Sequence, residues 1–174
     1  MDPVHRFEIR VPSEVVDQNR HVNNVAYVQW MQEAAMEHSA ATGCTRMTED
    51  AGASWVARMH RIEYLAPAFA GDLLTVRTWV ASLGKVRSLR RYQIIRAADR
   101  KVIARGETEW VFVDAATGRP RGIPPSIAAL FEVMSGEPPD SRTGASPVQE
   151  ASKGPALEDR RDACPTPPSA HPAR

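Results

Sequence analysis

The chain has 174 residues, 25% of them charged and 43% apolar, a balance that suits one globular domain with its own core. Its formal net charge is +1 with acids and bases interspersed, so no overall field draws it to nucleic acid or to an anionic membrane surface. No apolar run approaches the roughly 20 residues that span a bilayer, and the start MDPVHRFEIR lacks an apolar signal stretch; a cytoplasmic protein is expected.

The segment VHRFEIRVP alternates and is rich in β formers, so residues 4–12 read as a first strand closed by Pro12. From Asn24 to Thr42 the sequence NVAYVQWMQEAAMEHSAAT holds helix formers and no Pro or Gly, and it stops before Gly43, which suits the residue after a helix. Nineteen such residues form a helix about 28 Å long. Its apolar side chains spread around the circumference, Val25, Val28 and Met31 on one side and Tyr27, Trp30 and Ala34 on another, which predicts a helix that is wrapped rather than laid on a surface.

Four β-like runs follow at 54–65, 72–82, 86–97 and 102–113. The breaks between them, APAFAG, LGK and ADRK, are short enough for hairpins or meander connections. PSIAALFEVM, with Pro125 near its first turn, predicts a short closing helix. Cys44 is expected to end the long helix and Cys164 falls in a proline-rich stretch, so no disulfide framework is expected. Residues 137–174 contain eight of the fourteen prolines, no aromatic, and only Val148 and Leu157 as large aliphatics. So little apolar surface does not offset the entropy of ordering, so the expectation is a domain at 1–136 and a disordered tail at 137–174. Strand, long helix and four strands imply an α+β fold, one antiparallel sheet curled round one central helix.

Residues 17–27, DQNRHVNNVAY, crowd hydrogen-bonding side chains against the start of the long helix. Helix capping accounts for Asn23 or Asn24, and the positive helix end favours an acid such as Asp17 nearby. It does not account for Asp17, Asn19, His21, Asn23 and Asn24 together. Such a cluster suits hydrolysis at an activated carbonyl, which needs an activated water or a carboxylate, and a donor for the developing oxyanion. Asp17 can supply the first and the Asn24 backbone N–H the second, while Asn19 and His21 can orient Asp17 or a water, or steady the carbonyl. No histidine pair has the spacing of a metal site, so no metal is expected. Trp30, Trp55, Trp79 and Trp110 are scattered over helix and strands, which suits core or interface residues rather than a base-stacking platform.

The pattern Asp-x-Asn-x-His-Val-Asn-Asn-x-x-Tyr, from Asp17 to Tyr27, resembles the motif of the hotdog-fold acyl thioesterases, the superfamily of 4-hydroxybenzoyl-CoA thioesterase and the plant acyl-ACP thioesterases. A second segment, HRIEYLAPAFAGDLLTVRTWV from His60 to Val80, is similar to the family's second and third strands with their Pro-containing, Gly-Asp turn. The resemblance covers roughly residues 4–125 and implies a hotdog fold and hydrolysis of acyl-CoA or acyl-carrier-protein thioesters. It implies no cofactor beyond the coenzyme A or phosphopantetheine of the substrate. Asp17 matches the acid regarded as nucleophile or general base, Asn19 and His21 match polar catalytic residues, and the Asn24 N–H matches the group that polarises the carbonyl. Where the plant enzymes place an acid and a cysteine after the segment matching Ile62-Glu63-Tyr64, this chain has Pro67 and Ala68, which argues against a cysteine mechanism.

Substrate contacts are expected from Asn23 and Tyr27, from Arg58 and His60 on one side of a strand, and from Lys85, Arg87 and Arg90. With Arg91, the last three form either a basic rim for the phosphates of coenzyme A or an ordinary solvated face. The open edges of such a sheet predict a homodimer or homotetramer, with Trp79, Trp110 and Phe112 supplying apolar contact area. The rival readings are a hydratase or dehydratase acting on acyl thioesters, and a non-catalytic acyl-thioester binding module.

Overall fold

The computed structural model describes residues 2–139, so the expected tail beyond residue 139 lies outside the described residues. Strand β1 (His5–Arg10) leads through a 3₁₀ turn at Ser13–Val15 to helix α1 (Asn24–Ala41) and helix α2 (Cys44–Asp50). Strands β2 (Ala53–Tyr64), β3 (Leu73–Leu83), β4 (Arg87–Arg96) and β5 (Lys101–Asp114) follow, then the single turn of helix α3 (Pro125–Ala128). All pairings are antiparallel, in the order β1-β3-β4-β5-β2, so the α+β arrangement expected from the sequence is the one observed.

The limits of α1 are set by single residues. Asn23 is its N-cap: Oδ1 accepts the Ala26 N–H at 2.9 Å and Nδ2 donates to the Val15 carbonyl at 2.8 Å. Gly43 ends it at φ 78°, a left-handed conformation in which a side chain would be strained. Cys44 therefore begins α2 rather than ending α1. The reversal at Gly43 turns the thiol inward against Ala53, Phe112 and Ile127, where it is buried.

The inward side of the sheet wraps α1, whose Tyr27, Trp30, Met31, Ala34 and Ala35 are buried against Leu74, Val76, Tyr92, Ile94 and Ala104. At the closest crossing, a Cβ on Gly106 would come within 2.6 Å of the Met31 Sδ. Gly106→Ala is expected to lower stability by about 1–3 kcal/mol in thermal or denaturant unfolding, because Met31 is buried and has little room to yield. The cost should shrink in a Met31→Ala background; an equal cost in both backgrounds would show that the two residues do not oppose each other.

Strands β3, β4 and β5 form the expected meander. The APAFAG break, however, is no hairpin. β2 pairs with β5 and β3 with β1, so residues 65–72 cross the end of the sheet. The crossing is held by the Val22 N–H to the Ala68 carbonyl at 3.0 Å and the Val11 N–H to the Asp72 carbonyl at 2.8 Å, with Ala68 fully buried beneath the start of α1.

The closing segment is also less helical than expected. After α3 the chain passes over the outer face of the sheet, where the Met134 N–H meets the Val80 carbonyl at 3.0 Å and Glu137 lies 3.1 Å from Arg105. Met134 packs on a patch made by Val4, Trp79, Ala81 and Leu89. Trp79 and Phe112 are thus buried within the chain and are not free to join copies. Four of the exposed large apolar side chains, Val56, Met59, Tyr64 and Leu65, lie along β2 or just beyond it; others, Val25 and Met36 among them, lie on α1. Among the described residues, no helix is long and apolar enough to cross a membrane.

Candidate active site

Val16 and Val22 form a small antiparallel bridge, and the five residues between them fold into a tight loop immediately before α1. The Asp17 N–H donates to the His21 carbonyl at 2.8 Å, the Arg20 N–H to the Asp17 carbonyl at 3.0 Å, and Arg20 takes φ 63°. The Asp17 carboxylate braces this loop through one oxygen: Oδ1 accepts the Asn19 N–H at 2.8 Å and the His21 N–H at 3.3 Å. Among the described residues nothing bonds Oδ2. The His21 ring stands edge-on to Phe69, 5.4 Å between centroids. Asp17, Asn19, His21 and Asn24 are all exposed.

Asn24 is the first residue of α1, so its amide has no intrahelical acceptor and lies at the positive end of the helix dipole. The loop before α1 thus carries a carboxylate with one oxygen that no described residue bonds, and the helix start that follows it presents an N–H that no described residue accepts. The neighbouring candidates are otherwise occupied. Both polar ends of the Asn23 side chain are engaged in holding the helix start, Oδ1 by the Ala26 N–H and Nδ2 by the Val15 carbonyl. Tyr27 is buried 5.2 Å from Tyr64 and beside Trp30; burial raises its pKa, and it belongs to the core rather than to a substrate surface.

A bulge between Ala57 and Met59 changes the phase of β2 and separates Arg58 from His60, which the sequence placed on one side. The His60 Nδ1 lies 2.9 Å from Thr108 Oγ1 on the helix-facing side. Arg58 instead bonds Glu109, which faces the other way and also meets Arg87 at 3.4 Å. The Arg58 hydrogen bond, with the nearby Arg87 charge, holds the Glu109 carboxyl below its ordinary pKa. Lys85 lies exposed in the β3–β4 turn, and Arg91 pairs with Glu107 on the outer face at 2.9 Å.

Arg90 is no part of a surface rim. It is only 4% exposed, because β4 turns it towards the C-terminal half of α1. Nη1 lies 2.8 Å from His38 Nδ1 and 3.4 Å from Thr78 Oγ1, and the guanidinium stands 5.6 Å from the Phe131 ring centre. His38 was not singled out in the sequence, where one histidine in a helix carries no signal. Burial, then the Arg90 charge and then His5 pull its pKa down to about 3, so it is neutral and Nδ1 accepts from Arg90.

Arg90 also lines a cavity of about 550 Å³ beneath this half of α1, walled mainly by Ala35, Cys44, Trp55, Val80, Trp110 and Phe131. No residue of 17–27 reaches it. Within one chain, the loop at 17–24 precedes the first turn of α1 while Arg90 packs against His38 in its last turn, and the fourteen residues of helix between Asn24 and His38 span roughly 21 Å at 1.5 Å per residue. Among the described residues no three His, Cys, Asp or Glu side chains converge as a metal site.

The family model described as a thioesterase-like superfamily matches residues 11–131. The Escherichia coli acyl-CoA thioester hydrolase YbgC is 31% identical over 130 residues, 73% of this chain and 95% of that protein. A 1,4-dihydroxy-2-naphthoyl-CoA thioesterase from Synechocystis superposes with a TM-score of 0.66 at 18% identity, over 74% of this chain and 95% of its own. A Staphylococcus aureus protein solved in complex with CoA gives 0.66 at 16% identity, over 73% and 80%. At such identities the likeness shows the fold, which is the hotdog.

Proposed function

The chain belongs to the thioesterase-like superfamily, and from that premise we propose that it is a thioester hydrolase that cleaves acyl-CoA or acyl-carrier-protein thioesters to free acid and thiol. The observation that carries this reading is the loop before α1, where among the described residues nothing bonds Asp17 Oδ2 and nothing accepts the Asn24 N–H at the helix start seven residues on. Acting as base, Asp17 takes a proton from water as the water oxygen adds to the thioester carbon. The Asn24 N–H meets the oxyanion that forms. Collapse of the tetrahedral species expels the thiolate, which the proton from Asp17 then neutralises. Direct attack by the carboxylate, with hydrolysis of the resulting anhydride, uses the same geometry. His21 and Asn19, exposed in the same loop, orient the water or the carbonyl. Coenzyme A or phosphopantetheine enters as part of the substrate, and no other cofactor is required. Acyl-CoA is an intracellular metabolite, so the same reading places the enzyme in the cytoplasm.

The proposed assembly is a homodimer built on β2. This twelve-residue edge strand carries exposed Val56 and Met59 and ends in the exposed Tyr64. An edge this long is a liability unless paired. Its two ends lie at the two ends of α1: Trp55 donates to Thr48 of α2 at 3.3 Å, and the Tyr64 hydroxyl reaches the Asn24 carbonyl at 3.4 Å. Antiparallel pairing of β2 with its copy therefore brings the Asp17 loop of one protomer to the cavity of the other.

A turnover screen of acyl-CoA esters from acetyl to palmitoyl, with benzoyl-CoA, tests the activity by release of free thiol. At least one member should turn over at an ordinary enzymatic rate, on the order of 1 s⁻¹ or more. Tight binding across the series without thiol release would identify a binding module instead.

A further inference from the structure

The cavity beneath α1 carries a charge that the chemistry above leaves unused. Arg90 is buried in its wall, yet its partners are a neutral histidine, a threonine hydroxyl and an aromatic ring. No carboxylate among the described residues pairs with it. Glu37 and Glu49, the acids that also line the cavity, are both exposed, and Glu37 meets His5 at 3.1 Å. An interior guanidinium without an anion is costly, and dipoles and a ring compensate only in part. His38 and Thr78 both engage Nη1, and no described residue bonds Nη2. The remaining wall is mainly apolar, and about 550 Å³ lies within the range of small-molecule pockets.

An apolar cavity with one unneutralised guanidinium fits an organic chain that carries one anion. A carboxylate suits it: it matches the planar donor edge of arginine and needs less hydration than a phosphate. Building on the hydrolase reading, we propose that this cavity receives the acyl group and that Arg90 recognises a second, free carboxylate on it. The preferred substrates are then thioesters of dicarboxylic acids. The chain places no constraint on how the carboxylate is spaced beyond the cavity's volume.

The test uses the full chain with two thioesters of equal length, hexanoyl-CoA and adipoyl-CoA, which differ by the terminal carboxylate. Wild type should show kcat/KM at least about tenfold higher for adipoyl-CoA, and Arg90→Met should bring the ratio to unity or reverse it. Equal rates in wild type, or a preference for hexanoyl-CoA, would overturn the inference and leave the hydrolase reading standing. If neither thioester is cleaved, the wider acyl-CoA screen decides the hydrolase reading, and calorimetry on the wild type with adipate and hexanoate decides the inference. Tighter adipate binding supports it and equal binding refutes it. Free CoA binding is measured alongside: a loss of CoA affinity in Arg90→Met as large as that for adipoyl-CoA would place Arg90 against a phosphate and overturn the assignment. Should Arg90→Met fail to fold, the wild-type ratio and the adipate comparison still decide.

Discussion

Asp17→Asn is expected to lower acyl-thioester turnover by at least about 10²-fold, the scale of a lost general base or nucleophile, with KM within a few-fold and little change in thermal stability. The reason lies in how the carboxylate is shared. Oδ1 accepts the Asn19 and His21 N–H groups, and an amide oxygen can do the same, so the loop keeps its shape while the charge disappears. Asp17→Ala removes both functions and should lose stability as well as rate. His21→Ala should cost less than Asp17→Asn, and Asn24→Ala least, because its proposed catalytic group is the backbone N–H. The cap belongs to Asn23, so Asn23→Ala should cost about 1 kcal/mol of stability without a comparable loss of turnover. Full activity in Asp17→Asn would sink the mechanism while leaving the fold untouched.

The second large effect concerns the β2 edge. Val56→Lys combined with Met59→Lys places charge on a strand that already exposes Arg58 and Arg61. Across a two-fold axis these cations would face their copies, and like charges directly opposite disfavour pairing. Both residues are about half exposed in the single chain, at 50% and 46%, so the fold of the protomer should survive. Sedimentation should show a monomer whose melting temperature stays near that of an isolated protomer. Its turnover should fall by about tenfold or more, since the Asp17 loop then has no cavity opposite it. A double variant that is monomeric and fully active would refute a site shared between copies. A wild type that sediments as a monomer at micromolar concentration would refute the dimer itself.

What was legible in the sequence is what local chemistry controls. The alternation of the strands, the caps of α1 at Asn23 and Gly43, and the crowding of Asp17, Asn19 and His21 before a helix start each depend on neighbours a few residues away. Hence the element order and the α+β class could be read before any tertiary contact was known. The rest was decided by pairings distant along the chain. Loop length alone does not distinguish a hairpin from the crossing at 65–72, because the difference lies in β2 pairing with β5 rather than β3. The bulge at Ala57/Met59 turned Arg58 and His60 to opposite faces, which an unbroken period of two does not reveal. Arg90 and Arg91 read alike in sequence; strand alternation, together with the side on which α1 lies, buries the first against His38 and leaves the second paired with Glu107 outside. The separation of the loop at 17–24 from the cavity is likewise a tertiary outcome: a straight helix holds what packs at its N-terminus away from what packs near its C-terminus.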